Sequence, residues 1–114
     1  MLKKSDKPIK KSDKELWTLI EEKLNEKDYL FLPHAKQRQK DRNISDLDVL
    51  DILENTPGRK RQRNKKMDRY TEGYTDWNYC IEGWDLDNEN KIRIIISFES
   101  NLLIVTVIRL NKGQ

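Results

Sequence analysis

The chain is poor in the residues on which much protein chemistry depends: 114 residues include one cysteine, one histidine, three prolines and four glycines. Cys80, being alone, closes no internal disulfide and anchors no Cys-based zinc site, so a reducing cytoplasm is the expected home. Apolar runs such as Ile94 to Ile96 are short, whereas a membrane helix needs roughly 18 consecutive apolar residues, so no membrane insertion or secretory leader is expected. The few glycines build no phosphate loop, dinucleotide fingerprint or nucleophile elbow, and neither a metal nor a cofactor is assigned.

Charge is what the chain has in quantity. Charged residues make up 38% and hydrophobic ones 35%, with a mean hydropathy of -0.96, values that border on disorder when spread evenly. They are not spread evenly. Apolar residues gather at 16–32, 44–53 and 77–110, where periodic patterns can build a single core of the size this length allows. The net charge is only +3, yet six cations lie between Lys3 and Lys14, and seven between Arg59 and Arg69. The compensating acids sit at 46–54 and 82–89. Such a polarised surface suits a polyanionic partner, although basic runs also occur as plain solvated faces.

Residues 1–11 lack periodicity and read as a flexible basic arm, with a single domain over 12–114. Ser12 and Glu15 have capping-box spacing, and Leu16, Ile20 and Leu24 form a stripe, which predicts a helix near 13–26. Tyr29 to Leu32 reads as a short strand-like piece; Pro33 then opens a second helix running to about Arg42. Ser45 and Asp48 repeat the capping box and start a third helix over 46–54. Beyond the Thr56-Pro57-Gly58 stop the period becomes alternating: Trp77, Tyr79 and Ile81, then Ile92 to Phe98, then a strand at Leu102 to Leu110 that is apolar on both faces and therefore expected inside the sheet or covered. Residues 59–66 are a weaker strand candidate, and Gly83 marks a bulge or a close backbone approach. The expected fold is α+β, with N-terminal helices packed on a C-terminal antiparallel sheet of three to four strands.

The second helix is unusual because Ala35 is its one ordinary apolar anchor after the proline. His34, Arg38 and Arg42 recur at i, i+4 and i+8, a drift of only ~80°, so they share one side of the helix. If Ala35 faces the body, the arginines point into or across a groove. Guanidinium groups match phosphate oxygens and stabilise the charge that develops during phosphoryl transfer. His34 in the first turn is placed to accept a proton from an RNA 2'-hydroxyl, whose attack on the adjacent phosphate needs no metal and leaves a 2',3'-cyclic phosphate. The competing reading pairs Arg38 and Arg42 with Asp46, Asp48 or Asp51 of the next helix. Tyr79 alternates with core positions; its default is packing, and its alternative is a general acid or phosphate donor. Arg59, Lys60, Arg61, Arg63, Lys65 and Lys66, followed by Tyr70, Tyr74 and Trp77, combine cations with aromatic rings as single-stranded RNA binding requires.

Taken together, His34-x3-Arg38-x3-Arg42, Ile44-Ser45, the Pro57 stop, Trp77-Asn78-Tyr79 through Gly83 and the terminal Ile104 to Ile108 strand resemble the RelE-like superfamily of small bacterial proteins. More narrowly they resemble a small domain family near BrnT and MqsR, over residues 30–110. That resemblance implies an endoribonuclease toxin of a toxin-antitoxin pair, acting on RNA with or without the ribosome, using no metal and neutralised by a bound antitoxin protein. It carries His34, Arg38 and Arg42 over as site residues and Tyr79 as a sheet position, and it makes the helix within 12–28 an extension beyond the shared core. The alternative is a non-catalytic regulator that binds RNA or an acidic protein through the same basic surface.

Overall fold

In a computed structural model of the protein, the residues described are 7–55, 61–87 and 89–110. Three helices precede most of the sheet: α1 (Asp13–Asn25), α2 (Pro33–Arg42) and α3 (Asp46–Glu54). The strands are β1 (Tyr29–Phe31), β2 (Gln62–Arg63), β3 (Tyr79–Trp84), β4 (Lys91–Phe98) and β5 (Leu102–Leu110), with a single 3-10 turn at Lys65–Met67. Both predicted capping boxes form, at Ser12 with Glu15 and at Ser45 with Asp48, and each satisfies backbone N–H groups that a helix start leaves unpaired. Asn43 and Asn55 end α2 and α3 in the left-handed conformation, which asparagine tolerates better than most residues.

The fold is α+β, but the sheet is larger than expected and mixed. Five strands run in the order β1-β5-β4-β3-β2, and β1 pairs with β5 in parallel, Tyr29 opposite Leu102 and Phe31 opposite Ile104. The remaining pairings are antiparallel. A purely antiparallel meander was expected because local alternation reveals a strand and not its distant partner. The β1–β5 pair is also what places β5 inside the sheet, as its two apolar faces require. Pairing slips once, between Ile95 and Ile96, rather than at Gly83. Gly83 pairs regularly with Ile92 and instead permits close approach: a Cβ there would lie 2.7 Å from Cγ2 of Ile52 on α3.

One face of the sheet carries the core. Tyr79, Ile81, Ile92, Ile94, Ile96, Phe98, Leu102, Ile104 and Val107 cluster with Leu16 and Ile20 of α1, Ala35 of α2, Ile44, and Val49, Ile52 and Leu53 of α3. Cys80 and Leu103 are buried yet stand outside that cluster, as their alternate register positions require. All three helices thus cover the same face, with α2 packed over β5 and α3 over β3. The arm expected to be free through residue 11 is held over its last residues: Lys10 pairs with Asp68 at 3.0 Å, Lys11 with Asp76 at 2.7 Å, and the Trp77 indole donates to the Pro8 carbonyl. Lys10 also stands 5.0 Å from the centre of the Trp77 ring, an attraction that desolvation strengthens. Among the described residues, no helix is long and apolar enough to cross a membrane.

Candidate functional site

Helix α2 presents the first set of candidates. It buries only Ala35 and Gln39. The Gln39 amide donates to the Ile44 carbonyl at 3.3 Å and to Asp46 at 2.6 Å, fastening α2 to the start of α3. His34 and Arg42 are exposed and Arg38 is half-buried. His34 and Arg38 each precede a buried residue by one position, ~100° around the axis, and flank the packed face, whereas Arg42 returns to within ~20° of the direction of Ala35 and is exposed at the end of the helix. From His34 to Arg42 the line extends roughly 12 Å along the helix. The result is a ridge. The groove expected beneath it is not among the concavities described, whose walls belong to other residues.

The carboxylates of α3 do not quench this ridge. Asp46 takes Lys36 at 2.8 Å as well as Gln39, and these bonds hold its carboxyl below the ordinary range despite partial burial. Asp48 closes the Ser45 capping box and accepts from the Leu86 amide. No side chain of His34, Arg38 or Arg42 forms a hydrogen bond or ion pair with a described residue. Arg109 extends the cationic line at its far end, where its guanidinium donates to the Arg42 carbonyl and, at 3.1 Å, to the Asn43 carbonyl. Sequence reading missed Arg109 because only its register, opposite Ile92, turns it toward the helical face.

Tyr79 does not reach that surface. It is fully buried, its hydroxyl donates to Asp76 at 2.7 Å and accepts from the Lys11 amide at 3.0 Å, and burial first, then Asp76, pushes the phenol well above its ordinary range. This buried bonding removes it as a general acid and leaves it the packing role. Cys80 is equally enclosed, and burial raises its thiol to about 11, far from the thiolate chemistry that a reactive cysteine needs.

The second basic set is dispersed. Arg59 and Lys60 lie outside the described residues. Arg61 stacks on Trp17 with its guanidinium carbon 4.0 Å from the ring centre, and it donates to the Leu53 carbonyl. Arg63 pairs with Asp68 at 2.7 Å and Asp13 at 3.2 Å and donates to the Cys80 carbonyl at 2.8 Å. Burial alone would raise the Asp68 carboxyl, but Arg63, the Cys80 amide and Lys10 hold it below its ordinary value. Lys65 and Lys66 are exposed, with Lys65 3.4 Å from Asp13. The alternation of 61 and 63 therefore points those arginines toward the helices, contrary to a row of RNA contacts. On the opposite face Glu82 is buried with Arg93 at 2.8 Å and Asn64 at 2.9 Å.

The architecture defines a small α+β domain whose least apolar helix carries a cationic line of His34, Arg38 and Arg42 whose side chains have no partner among the described residues. Residues 31–109 match the family model described as "Domain of unknown function (DUF4258)", and the chain belongs to that family. The match begins at Phe31, the last residue of β1, and leaves α1 outside it. Comparison with curated proteins gave no match, and neither did comparison with solved structures.

Proposed function

We propose that the protein acts on RNA through α2, with Arg38 and Arg42 holding phosphates and His34 accepting the proton of a 2'-hydroxyl that attacks the neighbouring phosphate; the P–O5' bond breaks and the departing 5'-oxygen takes its proton from water. The observation that carries this reading is the absence of any partner for these three side chains among the described residues, although Asp46 and Asp48 of the neighbouring helix are engaged elsewhere. Arginine left unpaired beside a packed helix face is a ready phosphate ligand. The His34 imidazole begins one turn away from Arg38, roughly 6 Å along the axis and on the same side of the helix, where it supplies the base of this reading. In this reading the protein is a RelE-like endoribonuclease toxin, and its antitoxin is a protein that covers the same ridge.

A second reading, RNA binding without cleavage, is favoured by one observation: Tyr79 is buried and supplies no acid for the leaving group. The two readings separate cleanly in vitro. Purified protein incubated with RNA, with and without ribosomes, is expected to yield fragments ending in 2',3'-cyclic phosphate; His34→Ala is expected to abolish the fragments and keep the binding. Binding by the wild type with no fragments under either condition selects the second reading. Absence of binding to RNA defeats both.

A further inference from the structure

Beside the root of α2, on the sheet face that the helices leave open, lies a cavity of about 370 Å³. Leu30 of β1, Leu32 and Leu103 of β5 contribute its apolar walls, Tyr74 comes from the loop before β3, and Glu99 and Asn101 come from the turn between β4 and β5. Leu30 and Leu103 are register partners that stand outside the core cluster, and Leu30 remains 51% exposed. An apolar wall of this kind gains from a ligand that removes it from water.

The opposing loop is tied in place. The Tyr74 amide donates to the Thr71 carbonyl at 3.1 Å, the Tyr74 carbonyl accepts from the Tyr70 hydroxyl at 3.1 Å, and Thr75 donates to the Phe98 carbonyl at 3.0 Å. Gly73 also lines the cavity, at φ +98° and with open space where a Cβ would stand. Asn101 is oriented by its side-chain amide, which donates a hydrogen bond to the Asp28 carboxylate at 2.9 Å. The Glu99 carboxylate is different, because it forms no hydrogen bond or ion pair with a described residue.

A tyrosine ring, leucine walls and one free carboxylate are the chemistry of a base site. Bases stack on aromatic side chains and are read along their hydrogen-bonding edges when RNA is single-stranded. The carboxylate repels phosphate, so this cavity complements the cationic ridge instead of duplicating it. An ionised carboxylate only accepts, and it accepts best from two adjacent donors. Guanine offers N1–H beside its 2-amino group. Adenine and cytosine place a ring acceptor beside the amino group, and uracil places its single N–H between two carbonyls, so each sets an acceptor against the carboxylate. Leu32 is also the N-cap of α2, which puts the cavity at the His34 end of the helix.

We infer that this cavity is a guanine subsite, in which Tyr74 stacks on an unpaired base and Glu99 reads its donor edge. The inference rests on the proposed action on RNA and adds the base that this action selects. The test is titration of the isotopically labelled full chain with GMP, AMP, CMP and UMP, followed by amide NMR. GMP is expected to shift Leu30, Gly73, Tyr74 and Leu103, with at least about tenfold tighter binding than the other three, the usual worth of a charge-assisted hydrogen bond. Glu99→Gln is expected to erase that preference with the spectrum of the free protein otherwise preserved, and Tyr74→Ala to weaken all four nucleotides. Equal binding of all four, or shifts confined to α2, overturns the assignment. Comparing wild type with Glu99→Gln on a uridine oligonucleotide and one containing guanosine separates the two levels. RNA binding with no base preference in either protein overturns the guanine subsite and leaves the α2 reading standing, whereas no RNA binding at all removes both.

Discussion

Helix α2 and the segment from Arg61 to Lys66 each carry four lysines and arginines, yet the structure uses their arginines in opposite ways. Arg61 and Arg63 are absorbed by the fold, one stacked on Trp17 and the other locked to Asp68, Asp13 and a backbone carbonyl. Arg38 and Arg42 have no such partners among the described residues. A cation already surrounded by carboxylates and carbonyls has little left to offer a ligand, and removing it damages the protein. A cation without partners contributes little to folding and is available for binding. Density of basic residues therefore says less about an interface than whether the fold has already used them.

The sharpest way to break this contrast is Arg63→Ala. It leaves the fully buried Asp68 carboxylate without its main partner, and breaking one side of a buried pair costs about 3 to 5 kcal/mol; urea denaturation is expected to show that loss, while Arg38→Ala and Arg42→Ala stay within about 0.5 kcal/mol of wild type, as surface substitutions that break no bond within the fold do. Arg61→Ala comes next. Its stacking on Trp17 and its bond to the Leu53 carbonyl are together worth about 1 to 2 kcal/mol, readable in the same experiment.

A smaller effect lies in acid. Asp68 and Glu82 are held below their ordinary values, in each case by bonds that outweigh burial. For a carboxyl depressed in the folded state, stability is present above the unfolded value, about 4, and is lost as pH falls through the folded one. Thermal unfolding between pH 5 and pH 2 (an interval of roughly the carboxylate range) is expected to show falling Tm, with a flatter slope in Asp68→Asn. An unchanged slope would place the acid sensitivity elsewhere.

How far the sequence reveals all this depends on the range of the interactions involved. Ser12 with Glu15 and Ser45 with Asp48 are contacts three residues apart, so both helix starts are legible from spacing alone. The helical line of His34, Arg38 and Arg42 is likewise local and forms as α2. Tyr79 was legible as a core position by alternation, whereas its hydrogen bonds to Asp76 and to the amide of Lys11, 68 residues away, were not. Arg63 illustrates the same limit: its place in a short strand follows from pattern, but its partner Asp13 lies 50 residues earlier and turns an apparent RNA contact into a structural tie. The parallel β1–β5 pair joins Tyr29 to Leu102 across most of the chain, and nothing in a three-residue strand announces its partner. The guanine cavity combines β1, the Tyr74 loop and the turn at Glu99, three separated segments whose convergence only the folded chain displays.

The central claim is that the unpartnered cations of α2 hold RNA phosphates and those absorbed by the fold do not. The most direct measurement is the salt dependence of RNA binding in Arg38→Ala, Arg42→Ala and, for comparison, Arg61→Ala, whose cation is stacked on Trp17 and bonded to the Leu53 carbonyl. Losing one phosphate contact lowers the slope of log K against log salt by about 0.7 on a single strand. The account predicts that decrease for each α2 variant and the wild-type slope for Arg61→Ala; a slope that falls only in the Arg61 variant would contradict it.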